Sequence, residues 1–270
     1  MPELPEVETT CRGIAPHILN QCLHKLVLRQ PRLRWPVAVE LSRQLPGQVV
    51  LGVERRAKYL LLRMTKGTLL IHLGMSGSLR IVSATVAPGR HDHFDLDFGS
   101  CCLRFRDPRR FGALLWTTAP IEQHPLLAHL GPEPLSDFFN GKHLHDHSRA
   151  RRTAVKNFIM DGRVVVGVGN IYANESLFVS GIHPLRSAGH ISMMRYARLA
   201  ATIKEVLRSA IEQGGTTLRD FHNQDGNPGY FVQQLLVYGK AGQPCPNCGS
   251  SIRQQTIGQR SSFFCIRCQH

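Results

Sequence analysis

No stretch of the 270-residue chain reaches eighteen consecutive apolar residues, and no basic segment followed by an apolar one stands at its start. The first absence excludes a membrane-spanning helix. The second excludes a secretory signal and leads us to expect a cytoplasmic protein in a reducing compartment. Its eight cysteines are then better read as metal ligands or free thiols than as disulfides. Acidic residues are scarce, 19 against 33 Lys and Arg, for a net charge of +14. The last thirty residues have no Asp or Glu, whereas the first ten, MPELPEVETT, have no Lys or Arg.

The excess of positive charge is not a tail. Residues 1–130 carry 17 basic and 10 acidic side chains and residues 131–270 carry 16 and 9, so each half is +7. A folded surface that is basic in both halves points to a long polyanion, which is to say nucleic acid. Hydrophobic content of 42% and a mean hydropathy of −0.15 describe a globular chain long enough for two cores.

Residues 5–20 read as a helix, with Pro5 at its first position and Glu6 and Glu8 toward the positive end of its dipole. That leaves Pro2 and Glu3, ahead of the helix, unexplained. From 24 to 118 short apolar runs alternate with turn signals, the pattern of a β-sandwich or barrel. HLGPEPLSDF, with two prolines and a glycine, reads as a linker. Beyond it SMMRYARLAATIKEVLRSAIEQGG places Leu199, Ile203, Val206 and Ala210 on one helical face and stops at Gly214–Gly215. The domains expected are 1–130, a β-sandwich; 131–150, a linker; 151–238, helical; and 239–270, a small module.

That module contains CPNCGSSIRQQTIGQRSSFFCIRC. Two C-x2-C knuckles sixteen residues apart close a tetrahedral thiolate site for one zinc: Cys245, Cys248, Cys265 and Cys268. Four protein ligands leave no open position, so the metal is structural and stands in for a core that so short a module lacks. Arg260 lies between the knuckles, where an arginine can bind a phosphate bidentately or serve only as a solvated turn residue. Cys11, Cys22, Cys101 and Cys102 remain as packing or surface thiols, the adjacent pair pointing to opposite faces of a strand.

Three further stretches can carry chemistry. VVVGVGNIYANESLF ends an apolar run in Gly-x-Gly-Asn before a helix, where backbone N–H groups and Asn170 can meet an anion. Arg149, Arg151, Arg152 and Lys156 precede it, and RRAKYLLL sets Lys58 beside two arginines. HLGMSGSLR and RDPRRFGALLW place Met75, Arg109, Arg110 and Phe111 in turns. Met75 and Phe111 are either core residues or exposed apolar wedges that enter a base stack.

Taken in order, MPELPEVET, RRAKYLL, HLGMSGSLR, DPRRFG, VVGVGNIYANESLF, GGTTLRDF, GNPGYF, VYGKAGQPC and the cysteine hairpin closely resemble formamidopyrimidine-DNA glycosylase over essentially the whole length. The resemblance implies an α+β fold: an N-terminal β-sandwich with an N-terminal helix, then a helical domain with a helix–two-turn–helix and a zinc-finger β-hairpin, with DNA in the cleft between the domains. It implies a bifunctional glycosylase and abasic-site lyase of base excision repair that acts on oxidised purines. Met1 is removed and the Pro2 amine attacks the sugar, forming a Schiff base resolved by β,δ-elimination. An α-amino group, with a pKa of about 7.7–8.0, is partly neutral near pH 7 and suits that role. Glu3 becomes the general acid and base.

The resemblance also makes Lys58, Asn170 and Arg260 phosphate clamps and Lys156 a support for substrate recognition. Met75, Arg109 and Phe111 fill the gap left by the everted base. His72, His91 and Tyr238 are carried over as DNA-binding positions. Arg219 lies in the loop over the everted base, at a position often held by lysine. The implied partner is duplex DNA with the lesion opposite cytosine, bound by a monomer near the nucleoid. Two other readings fit parts of the pattern: an endonuclease VIII-type glycosylase for oxidised pyrimidines, and a non-catalytic zinc-dependent DNA-binding protein.

Overall fold

A computed structural model describes residues 2–215 and 234–270. The chain divides into two compact units. One is built from the described part of residues 1–128 and 213–232, the other from 129–212 and the described part of 233–270.

The first unit opens with α1 (Leu4–Ile18). Pro5 sits inside its first turn, one residue later than expected, and Glu3 is the cap. Val7, Cys11, Ile14 and Ile18 recur at helical spacing and face the core. Eight strands follow: β1 (Lys25–Leu28), β2 (Val50–Arg56), β3 (Tyr59–Met64), β4 (Gly67–His72), β5 (Ser78–Val82), β6 (Asp92–Asp97), β7 (Cys102–Arg106) and β8 (Ala113–Thr117), with a short α2 (Leu41–Gln44) after β1. They form two antiparallel four-stranded sheets, ordered β1-β6-β7-β5 and β2-β3-β4-β8. Period-two alternation sets the layers. Leu60 and Leu62 on β3, Leu69 and Ile71 on β4, Phe94 and Leu96 on β6, and Leu103 and Phe105 on β7 share one core. This is the expected sandwich.

The outer face of β6 and β7 is buried but charged. Arg104 holds Asp95 through two 2.9 Å bonds, and Arg29 also binds Asp95. Cys101 packs toward the core while Cys102 lies on this outer face, the two-sided arrangement expected of neighbours. Burial pushes the thiols of Cys11 and Cys102 up to about 11 and about 12, so both stay protonated packing groups.

In the second unit, the stretch expected to be linker contains a helix, α3 (Gly141–Ser148). Asn140 caps it, its side chain accepting from His143 N–H at 2.9 Å. Leu144 is the one apolar residue in GKHLHDHS, so no periodicity announced this helix; packing on α6 (Met193–Glu212) decides it. A Cβ at Gly141 would collide with Ala197 of α6. Within α6 the buried face holds Leu199, Ile203 and Ala210 as expected, but Leu207 takes the place assigned to Val206. Between lie α4 (Val155–Met160) and α5 (Asn170–Val179). The chain closes with the hairpin β9 (Arg253–Ile257) and β10 (Arg260–Phe264). Gly258 and Gln259 join its strands at φ 56° and 61°. Two left-handed residues make the turn that matches hairpin twist. Among the described residues no helix is long and apolar enough to cross a membrane.

Candidate active site and metal centre

The N-terminus is held by its own helix cap. Glu3 N–H donates to Glu6 Oε2 at 2.8 Å, while the Glu3 carboxylate accepts from the Glu6 N–H. This reciprocal box places Pro2 immediately in front of a buried carboxylate, Glu3 being 3% exposed. Glu6 is therefore committed to the cap. Gly215, at φ 84°, packs against it: a Cβ there would come within 3.0 Å of Glu6 Oε1. Glu8 instead binds Arg55 at 2.8 Å and Arg12 at 2.7 Å. Burial opposes its ionisation, but the two arginines hold its carboxyl below the usual carboxylate range.

Lys58 lies half-buried in the β2–β3 turn, next to Ala57 at φ 55°. Across the β3–β4 pair, Tyr59 faces His72 with ring centroids 4.8 Å apart. Gly74 N–H donates to His72 Nδ1 at 2.9 Å, which leaves the ring proton on Nε2. Burial, then the charges of Arg34 and Lys58, push His72 down to about 4. It is a neutral donor at physiological pH.

Met75 and Phe111 are exposed, 37% and 44%, so neither is a core residue. Arg109 lies over the Phe111 ring at 5.2 Å. The two turns are locked together by Asp107, which is fully buried. Its carboxylate accepts from Ser76 Oγ at 2.7 Å, Gly112 N–H at 2.8 Å and Arg109 N–H at 3.2 Å. Gly74, at φ 69°, is required here because a Cβ would stand 2.5 Å from the Phe111 carbonyl carbon. Asp107 escaped the sequence reading; its signal was the Asp-Pro turn in which it stands. His91 precedes β6, its carbonyl accepting from Asp107 N–H at 3.0 Å.

The four cysteines converge, their Sγ atoms all within 4.8 Å of one another. Cys245 and Cys268 are 3.9 Å apart and Cys248 and Cys265 3.5 Å. Tetrahedral ligands about 2.3 Å from zinc stand roughly 3.8 Å apart, so the donor set fits that ion. Gln269, buried, accepts from Cys265 N–H and donates to the Ile182 carbonyl, both at 2.9 Å, tying the knuckle to the helical core.

The hairpin is also seated on α4 and α5. Lys156, expected to meet DNA, is fully buried, and its Nζ donates to the Ser261 carbonyl at 3.0 Å and to Ser262 Oγ at 2.6 Å. Asn170 Nδ2 donates to the same carbonyl at 3.0 Å. One turn on, Asn174 Oδ1 accepts from Phe263 N–H at 2.7 Å. Glu175 accepts from the N–H groups of Leu236, Val237 and Tyr238 at 2.7, 3.0 and 2.8 Å. Burial raises its carboxyl while those three donors pull against the rise. Neither residue was picked out in the sequence, where a polar pair inside NESLF looks like any helix surface. Tyr238 packs edge-on to Phe263 at 5.1 Å. Arg260 opens β10 and is exposed at the hairpin tip. Arg219 lies outside the described residues.

Three family models match in order: Formamidopyrimidine-DNA glycosylase N-terminal domain over residues 1–114, Formamidopyrimidine-DNA glycosylase H2TH domain over 130–222, and Zinc finger found in FPG and IleRS over 242–270. The chain is similar over its whole length to a Lactococcus lactis Fpg variant solved with DNA containing Fapy-dG (TM-score 0.92, 30% identity, all of both chains). It is also similar to the MutM (Fpg) protein of Thermus thermophilus (TM-score 0.89, 38% identity, 99% of this chain and 98% of that one). The fold, the matched H2TH domain and the four-cysteine hairpin define a DNA glycosylase of base excision repair with one structural zinc. A curated formamidopyrimidine-DNA glycosylase of Syntrophotalea carbinolica is 61% identical over 270 residues, 100% of both chains. The chain belongs to the formamidopyrimidine-DNA glycosylase family, a family that couples base removal to abasic-site lyase activity. The endonuclease VIII-type and non-catalytic readings give way to it.

Proposed function

We propose that Pro2 and Glu3 carry the chemistry on oxidised purines, 8-oxoguanine and formamidopyrimidines, in duplex DNA. The observation that supports this most is the cap: Glu3 is held by Glu6, and Pro2 immediately precedes that buried carboxylate. With Met1 removed, the Pro2 nitrogen bonds to C1′ as the bond from C1′ to the base breaks, and the base leaves with a proton. The sugar ring opens, O4′ takes up a proton, and the C1′–nitrogen bond becomes an iminium. Its positive charge allows C2′ to lose a proton and the 3′ phosphate to leave; a second elimination releases the 5′ phosphate. Glu3 moves the protons at the sugar.

Lys58, Asn170 and Arg260 bind phosphates flanking the everted nucleotide, with His72, His91 and Tyr238 as further contacts. Lys156 acts by seating the hairpin that carries Arg260. Met75 and Phe111 replace lost stacking, offsetting part of the few kcal/mol that eversion costs. Arg109 donates to the acceptors of the orphaned base, which favours cytosine over adenine. The protein acts as a monomer on the chromosome of a bacterial cell.

One gel with two substrates tests the N-terminal chemistry. Glu3→Gln should nearly stop excision from an 8-oxoguanine duplex, yet keep much of its nicking and borohydride-trapped adduct at a pre-formed abasic site. There the base has already left and the open-chain aldehyde accepts the amine. Proportional loss of both activities would remove Glu3 from the base-removal step. Full activity of a form retaining Met1 would remove Pro2 as the nucleophile.

A further inference from the structure

The segment RLRWP, Arg32 to Pro36, has no role in the site described above, yet it is built as a rigid platform. Leu33 and Val37 are anchored in the sandwich core. Arg32 and Pro36 pair as a β-bridge, and Val37 N–H closes the loop on the Pro31 carbonyl at 2.8 Å. Between the anchors, Arg34 N–H donates to the Gly112 carbonyl at 3.0 Å, fastening the loop to the turn that carries Phe111. The Arg34 side chain is exposed, and its guanidinium lies over the Trp35 ring, 4.7 Å from the centroid. Stacking on an aromatic face orders an arginine without consuming its hydrogen-bond donors.

The surroundings are cationic. The charge of Arg34 acts on His72 and on Tyr59, the strand pair beside Lys58. Asp107 acts on His72 in the opposite sense, but its carboxylate is buried and taken up by Ser76, Arg109 and Gly112. Arg12, Arg29, Arg55, Arg63 and Arg104 each have a carboxylate partner within 3 Å. Among the described residues, none stands within salt-bridge distance of Arg34. A preorganised, exposed guanidinium without a counter-ion, next to an apolar wedge, suits a phosphate diester.

We infer that Arg34 binds a backbone phosphate of the duplex beside the Met75 and Phe111 turns, as a partner to Lys58 and His72. This rests on the reading that those turns lie against DNA. A backbone contact carries no sequence information, so Arg34 adds affinity and register rather than lesion choice.

The test is equilibrium binding to a duplex with an uncleavable tetrahydrofuran abasic analogue, and to the undamaged duplex, across a salt series. Arg34→Ala should weaken both about tenfold and lower the slope of log K against log salt by about 0.9, the signature of one phosphate contact. Arg34→Lys should keep the slope. Arg63→Ala, which removes an equal charge from an exposed pair with Glu54, should leave it unchanged. If Arg34→Ala lowers the melting temperature, Arg34→Gln, whose stem still covers Trp35, replaces it. A slope for the Arg34 variant equal to that of Arg63→Ala would overturn the inference while leaving the DNA surface in place. A flat salt response of the wild type would overturn that surface as well.

Discussion

A carboxylate that caps a helix is ordinarily spent on that task. At Glu3 the capping is shared with Glu6, whose carboxylate accepts the Glu3 N–H, so a buried carboxylate is fixed beside Pro2, the proposed nucleophile. The same economy appears at His72, where an accepted Gly74 N–H selects the tautomer, and burial, with the charges of Arg34 and Lys58, keeps the ring neutral. Its effect on stability has a definite sign. The unfolded imidazole titrates near about 6.5, and the folded one at about 4. The unfolded chain therefore binds the proton more readily, so the contribution of neutral His72 is complete above pH 6.5 and is lost as pH falls toward 4. Urea midpoints of the wild type should drop more steeply across that window than those of His72→Gln. Parallel drops would show that other groups set the acid response. Side-chain exposure at this scale was only partly legible. Met75 and Phe111 could have been core, and buried Asp107, by clamping their two turns together, settles that they are not.

Among the elements, the zinc hairpin depends most on groups remote in sequence. Its cysteines come from two knuckles, but its seat comes from α4 and α5: Lys156, Asn170 and Asn174 all bond to β10, and Gln269 ties the last knuckle to Ile182. Metal and seat together place Arg260. Cys248→Ser, or removal of zinc by a chelator, should reduce affinity for abasic-analogue duplex by more than tenfold, with β-sheet circular dichroism from the sandwich retained and one zinc per chain released. Undiminished affinity in a metal-free preparation would separate the metal from DNA binding. The cysteine spacing was legible because a tetrahedral ion imposes it. The seat was not, since a buried lysine 105 residues from its carbonyl partner leaves no local pattern. Helix α3 was missed for the same reason: with Leu144 as its single apolar residue, its stability comes from α6 and not from its own sequence.

For the whole molecule, charge is the property that composition states most directly. Each half of the chain carries +7, and the proposed phosphate-binding positions fall in both units: Lys58 and His72 in the first, Asn170 and Arg260 in the second. Contacts with several phosphates should make log K fall steeply with log salt, by about 0.9 per phosphate neutralised. A titration on undamaged duplex measures this, and a slope near zero would make the positive charge incidental. Period-two and helical patterns, the metal spacing, the net charge and the ordered motifs were present in the sequence because each is a local or summed property of the chain. Tertiary structure alone decided that Lys156 is buried under the hairpin, that Asp107 and Glu175 organise turns and backbone amides, and that Arg34 stands exposed against Trp35 beside the Phe111 turn. Burial and hydrogen-bond partnership are relations between residues far apart along the chain, and they exist only once folding has brought those residues within a few ångströms of each other.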